Sequence, residues 1–118
     1  MSTNRLTASC HCGNVQVAVD TLPDTITSCN CSICRRTAAL WGYYPQAQVS
    51  VTVTTEPLQT YRWGDEYIDF HRCGKCGCMT HYTCRPKAEM DRVGVNYRLF
   101  DNEVVQQLAV RRIDGASF

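Results

Sequence analysis

Nine cysteines in 118 residues constrain this chain more than any other feature: they stand at positions 10, 12, 29, 31, 34, 73, 76, 78 and 84. That density approaches the density of a disulfide scaffold. Nine is odd, however, so complete pairing within one chain leaves a thiol over. The opening residues Met1 to Leu6 carry no apolar run of the kind a secretory leader needs, and no stretch nears the ~18 apolar residues of a membrane span. The expected compartment is a reducing cytoplasm, where clustered cysteines are metal ligands or catalytic thiols sooner than bridges.

Length explains why such ligands would matter. A 118-residue chain of 13.3 kDa fits one domain spanning 1–118 and excludes a large multi-domain enzyme. It buries roughly two thirds of its unfolded surface, leaving a thin margin over conformational entropy. Twelve Lys plus Arg against eleven Asp plus Glu give a net charge of +1, which disfavours nucleic acid, a zinc-ribbon reading and an anionic membrane as partners. Ten of the twelve cations are Arg, with only Lys75 and Lys87 as exceptions, a bias toward forked recognition of carboxylate or phosphate.

Period-2 alternation dominates the rest of the chain. Val15, Val17 and Val19 predict one half-buried strand, and Val49, Val51 and Val53 another. Runs rich in β-branched or aromatic residues predict further strands over 58–63, 68–72, 79–84, 92–97 and 107–111. Helix is expected only over 31–40, with Ser32 as N-cap, and as a single turn over 102–107 after an Asn cap. Turn signals at Pro23-Asp24, Trp63-Gly64-Asp65-Glu66 and Arg85-Pro86-Lys87 read as connections within one sheet-rich domain.

The cysteines sort by spacing. Cys10 with Cys12, and Cys73 with Cys76, form two pairs of the kind that close a tetrahedral structural zinc, and they would clamp an early strand to a later hairpin. Gly13 and Gly77 follow these pairs, where a tight turn needs positive φ and N–H groups aimed at sulfur. Cys29, Cys31 and Cys34 bring three ligands and no obvious fourth, the arrangement of a catalytic zinc with an open position. Spacing alone leaves open a closed second site completed by Cys78, Cys84, His71 or His81. A thioredoxin-like reading of Cys31-Ser32-Ile33-Cys34 is weaker, because the surrounding pattern is not βαβ.

In this order the motifs resemble the glutathione-dependent formaldehyde-activating enzyme family, which includes the centromere protein V group. They are Ser9-Cys10-His11-Cys12-Gly13-Asn14-Val15, Cys29-Asn30-Cys31-Ser32-Ile33-Cys34-Arg35, Phe70-His71-Arg72-Cys73-Gly74-Lys75-Cys76-Gly77 and Arg112-Ile113-Asp114-Gly115-Ala116. The resemblance implies a mainly β fold of twisted antiparallel sheets pinned by zinc, similar to methionine sulfoxide reductase B and the Rab-exchange chaperones. It implies two zinc ions per chain, a structural one on Cys10, Cys12, Cys73 and Cys76 and a catalytic one on Cys29, Cys31 and Cys34. The implied activity is that of a carbon–sulfur lyase, condensing glutathione with formaldehyde to S-hydroxymethylglutathione, with small-molecule thiol and aldehyde as partners.

Arg35 and Arg36 directly follow the third cysteine of the middle group and are candidates to grip a substrate carboxylate, with Arg98 a weaker one. Trp41, Tyr43 and Tyr44 are candidates for a pocket wall, against the plainer reading as core. Cys78 and Cys84 depart from the family pattern and invite two rival readings. One is a binding module with two closed zinc sites. The other is a redox enzyme with one of these thiols as nucleophile.

Overall fold

Alternation along β2 (Val15–Val19) buries Val15, Val17 and Val19 completely while Gln16 faces water. β2 is the middle strand of a three-stranded antiparallel sheet, between β1 (Leu6–Ser9) and β5 (Val49–Val53). The valines of the two predicted strands face each other in register, Val15 with Val53, Val17 with Val51 and Val19 with Val49. The computed structural model describes residues 6–64 and 66–117, so Asp65 of the expected turn and residues 1–5 lie outside the described residues.

A second sheet has seven strands: β3 (Thr25–Cys29), β4 (Trp41–Tyr44), β6 (Gln59–Tyr61), β7 (Ile68–Arg72), β8 (Met79–Cys84), β9 (Val93–Asn96) and β10 (Ala109–Ile113). Their order across the sheet is β10-β3-β4-β9-β8-β7-β6. The expected antiparallel pairing holds throughout except at one edge. There β10 runs parallel to β3, Ala109 beside Thr25 and Ile113 beside Cys29. A parallel partner needs a crossover connection, and here the crossover is most of the chain.

Two faces of this sheet do different work. Ile26, Tyr44, Val93 and Val95 face Val17 and Val19 of the smaller sheet and form the main core with Leu40, Tyr97 and Phe100. Trp41, Phe70 and Tyr82 face the other way and pack with Cys34 and Ala39. A third small cluster, Cys10, Val15 and Cys73, ties the turn after β1 to the turn after β7.

The helices are shorter than expected. α1 covers Ser32–Thr37, and Cys31, not Ser32, holds the N-cap position. It stops early because Ala38 adopts φ 57° and donates its N–H back to the Cys34 carbonyl, which turns the chain into β4. α2 covers Asn102–Gln106 with Asp101, not an Asn, at its cap. Among the described residues no helix is long and apolar enough to cross a membrane.

Candidate metal centres and the pocket beside them

Two cysteine groups are assembled by the ends of strands. Cys10 and Cys12 come from the β1–β2 connection and Cys73 and Cys76 from the β7–β8 connection, and their four sulfurs lie within 4.8 Å of one another. The Cys10 and Cys12 sulfurs are 3.7 Å apart and those of Cys12 and Cys73 3.6 Å. A tetrahedron with metal–sulfur bonds of about 2.3 Å has edges of about 3.8 Å, so this group fits zinc in size as well as in chemistry. Gly13 and Gly77 each adopt φ 83°, the positive value expected of turns that fold around sulfur.

Backbone and amide donors already point at these sulfurs. The Val15 N–H donates to Cys10 Sγ at 3.3 Å, the Lys75 and Cys76 N–H groups each to Cys73 Sγ at 3.3 Å, and Asn14 Nδ2 to Cys73 Sγ at 3.4 Å. Burial works against a charged Cys73, but the Cys76 N–H, the Asn14 amide and the Lys75 N–H outweigh it and draw the thiol down to about 5. Cys12 moves the other way, to about 11: the Asn14 N–H lowers it, but burial and the neighbouring sulfurs raise it further. Thiolates this close repel one another, and a divalent cation removes the conflict.

Asn14 organises this corner. Nearly buried, it accepts from the Thr55 N–H at 2.8 Å, the Thr55 hydroxyl at 3.0 Å and the Glu56 N–H at 3.0 Å, and donates to the Glu56 carbonyl at 2.9 Å. Nothing in the composition of the sequence singled it out. Its place directly after Cys12-Gly13 was the only available signal.

The second group stops at three. Cys29 ends β3, Cys31 caps α1 and Cys34 lies inside α1, with all three sulfurs within 4.8 Å of one another. Among the described residues no other Cys, His, Asp or Glu joins them. Cys78 stands beside the first group, against the His11 backbone and Cys76. Cys84 sits near Arg92 on a small cavity of about 240 Å³. His71 and His81 stack on each other at 4.6 Å, with His71 bonded to the Thr60 and Thr83 hydroxyls and His81 to Thr80. None of the four residues weighed as a fourth ligand is placed to close this group.

Its surroundings are nonetheless built. Trp41 Nε1 donates to Cys34 Sγ at 3.4 Å, and the Cys31 N–H to Cys29 Sγ at 3.5 Å. Burial pushes Cys34 up to about 12 against the lowering effect of Trp41, so a thiolate there needs a cation beside it. Segment 113–116 straps the group down: Asn30 donates to Asp114 Oδ1 at 2.9 Å and accepts from the Ala116 N–H at 2.9 Å, and its own N–H reaches the Ile113 carbonyl at 3.2 Å. A Cβ at Gly115 would sit 2.5 Å from Cys29 Sγ. Only hydrogen fits between that backbone and the sulfur.

The three sulfurs open onto a pocket of about 530 Å³. Trp41 and Tyr43 line it, with Phe70 and Tyr82 from β7 and β8. Tyr44, one residue on, points through the sheet into the main core, its hydroxyl bonded to the Thr21 carbonyl at 2.7 Å and to the Tyr97 hydroxyl. The expectation of a pocket wall therefore holds for Trp41 and Tyr43 and not for Tyr44, as strand alternation requires. Cavities of about 580 and 600 Å³ lie elsewhere, but none of the seven grouped cysteines lines either.

Arg35 and Arg36 lie on the exposed side of α1, where Arg36 donates to the Ser32 carbonyl of its own turn at 2.9 Å. Neither lines the pocket. Arg98 donates to the Ala38 carbonyl at 2.9 Å and faces the 580 Å³ cavity. The arginine that does line the pocket is Arg92, its guanidinium 4.6 Å from the centre of the Tyr43 ring. No local pattern ties residue 92 to a cysteine group almost sixty positions earlier.

A mainly β protein with two cysteine groups, each able to hold a metal ion, is thus the class that fold and site define. The family model for glutathione-dependent formaldehyde-activating enzymes matches residues 5–112, and the chain belongs to that family. Its fold is also similar to the crystal structure of a Rhodobacter sphaeroides protein solved as a structural genomics target. That match has a TM-score of 0.71 at 26% identity, over 90% of this chain and 100% of the other.

Proposed function

We propose that the protein is a zinc-dependent carbon–sulfur lyase acting on adducts of a thiol such as glutathione with an aldehyde such as formaldehyde. The observation that carries the reading is a three-sulfur group, without a fourth protein ligand among the described residues, opening onto a pocket. In this reading Cys10, Cys12, Cys73 and Cys76 hold a structural zinc, and Cys29, Cys31 and Cys34 hold the one at the reaction centre. Zinc held by these three thiolates would supply a soft cation able to bind a thiol sulfur and favour its deprotonated form.

The chain's own residues do the rest. Trp41 and the Gly115 strap fix the sulfurs of Cys34 and Cys29. The aromatic wall holds thiol and aldehyde together, so that proximity supplies most of the acceleration. In the synthetic direction the thiol sulfur forms a bond to the carbonyl carbon, the C=O π pair moves to oxygen, and the proton released by the thiol ends on that oxygen through solvent. Lysis reverses each step. A cytoplasmic setting, where thiols stay reduced, suits this chemistry.

Magnetisation-exchange NMR of the formaldehyde, glutathione and hemithioacetal equilibrium tests the reading. Faster exchange is expected with protein carrying two zinc ions than with buffer alone. Exchange at the uncatalysed rate, with both metals present, would remove this activity.

A further inference from the structure

The pocket beside Cys29, Cys31 and Cys34 is far larger than a one-carbon aldehyde requires. At about 530 Å³ it falls within the range of sites that enclose whole drug-sized ligands. Its walls are aromatic. Trp41 meets Tyr82 edge-on at 4.9 Å, and Phe70 meets Tyr82 at 5.8 Å, a herringbone whose exposed edges and faces suit another ring. At the rim Trp63 and Tyr67 are 42% and 48% exposed, with Lys87 Nζ 5.1 Å from the centre of the Tyr67 ring.

Polar groups are few. Glu66 also lines the pocket, but it is engaged with Arg85 at 3.5 Å. Arg92 is the pocket's cation, its guanidinium 4.6 Å from the centre of the Tyr43 ring and interacting with the Tyr82 hydroxyl, and among the described residues no carboxylate forms a salt bridge with it. One donor directed at Tyr82 leaves the other N–H groups of the guanidinium for a contact with an anion. Glutathione brings two carboxylates and an ammonium, and besides tyrosine hydroxyls the pocket offers one cation, Arg92, which leaves the second carboxylate without a charged partner, at a cost.

We propose that this pocket selects a thiol, or its aldehyde adduct, with an aromatic body and a single carboxylate, the carboxylate held by Arg92 and the ring by the aromatic wall. The inference rests on the reading of Cys29, Cys31 and Cys34 as the reaction centre, and it names the substrate class of that centre.

Both tryptophans of the chain line the pocket, so intrinsic fluorescence reports its occupancy. The zinc-loaded protein, reduced with a phosphine, is titrated with 4-(mercaptomethyl)benzoate, benzyl mercaptan, 6-mercaptohexanoate and glutathione. The aromatic acid is expected to bind at least about tenfold more tightly than glutathione or the aliphatic acid. Arg92→Gln is expected to weaken it roughly tenfold, the loss of one charge-assisted hydrogen-bonded contact, while leaving benzyl mercaptan unchanged. Glutathione or the aliphatic acid binding as tightly as the aromatic acid overturns the inference, and so does an Arg92→Gln variant that binds the aromatic acid normally. A cobalt-loaded sample separates the two readings through its sulfur-to-metal charge-transfer band. If no thiol perturbs the band, the open metal centre fails. If glutathione perturbs it and 4-(mercaptomethyl)benzoate does not, only the proposed selectivity fails.

Discussion

Gly115 shows how narrowly a single residue bounds the three-sulfur group. An added methyl would lie 2.5 Å from Cys29 Sγ and 3.3 Å from Cys31 Cβ, with backbone on one side and a sulfur on the other, neither able to swing away. Gly115→Ala is therefore expected to lower the metal content of washed protein from two ions per chain toward one, while the denaturation midpoint changes little. Retention of two tightly held ions would show that the strap yields. Asn30 is the other half of this device, using both ends of its amide on segment 114–116. The three cysteines were legible because ligands of one metal tend to come from one turn. Gly115, Asn30 as a clasp, and Arg92 were not, because each acts on a partner brought near only by the fold.

At the scale of elements, the β7–β8 pair carries a stacked pair of imidazoles, His71 on His81. Burial, reinforced by His71, depresses His81 to about 3. His71 is also lowered by burial, with Asp69 opposing. The unfolded chain takes up a proton on each histidine near pH 6.5, whereas folded His81 stays neutral until about 3. Stability is thus fully present above pH 6.5 and is lost as pH falls through the window from 6.5 to 3, at roughly 1.4 kcal/mol per pH unit for His81 alone. Between pH 6.5 and 5, urea unfolding should cost the native chain about 2 kcal/mol more stability than it costs His81→Gln. Equal losses would show that His81 is protonated in the folded state. Acid loss of metal affects both proteins and cancels in the comparison. Strands such as β2 and β5 were readable from alternation because one face is buried, and β7 and β8 from their β-branched and aromatic runs. β10 was located only approximately, over 107–111 rather than 109–113, and no local pattern carries its parallel pairing with a strand eighty residues away.

For the whole molecule, the two cysteine groups are expected to have unequal structural duties. The four-sulfur group joins the small sheet to the β7–β8 turn across some sixty residues of chain. A structural zinc contributes on the order of 10–16 kcal/mol, comparable to the stability of an entire domain. The three-sulfur group borders a pocket and is held by its own helix and strap. Stepwise chelation should remove one metal with the far-ultraviolet dichroism intact and the second only with unfolding. Cys34→Ala should return thiol–aldehyde exchange to the uncatalysed rate and stay folded, and Cys76→Ala should fail to fold stably. Equal collapse of both variants would instead favour a binding module with two structural metals.

Asn30 and Asp114, joined at 2.9 Å, are 84 residues apart in the chain. A ribosome adding about 5–20 residues per second makes the second of them roughly 4–17 s after the first. During that interval the sulfurs of Cys29, Cys31 and Cys34 have no strap over them and no finished sheet edge beside them. They are open to oxidants and to any soft cation passing by. The order of synthesis therefore leaves these three thiols exposed to oxidation, as well as to a metal ion, until β10 docks.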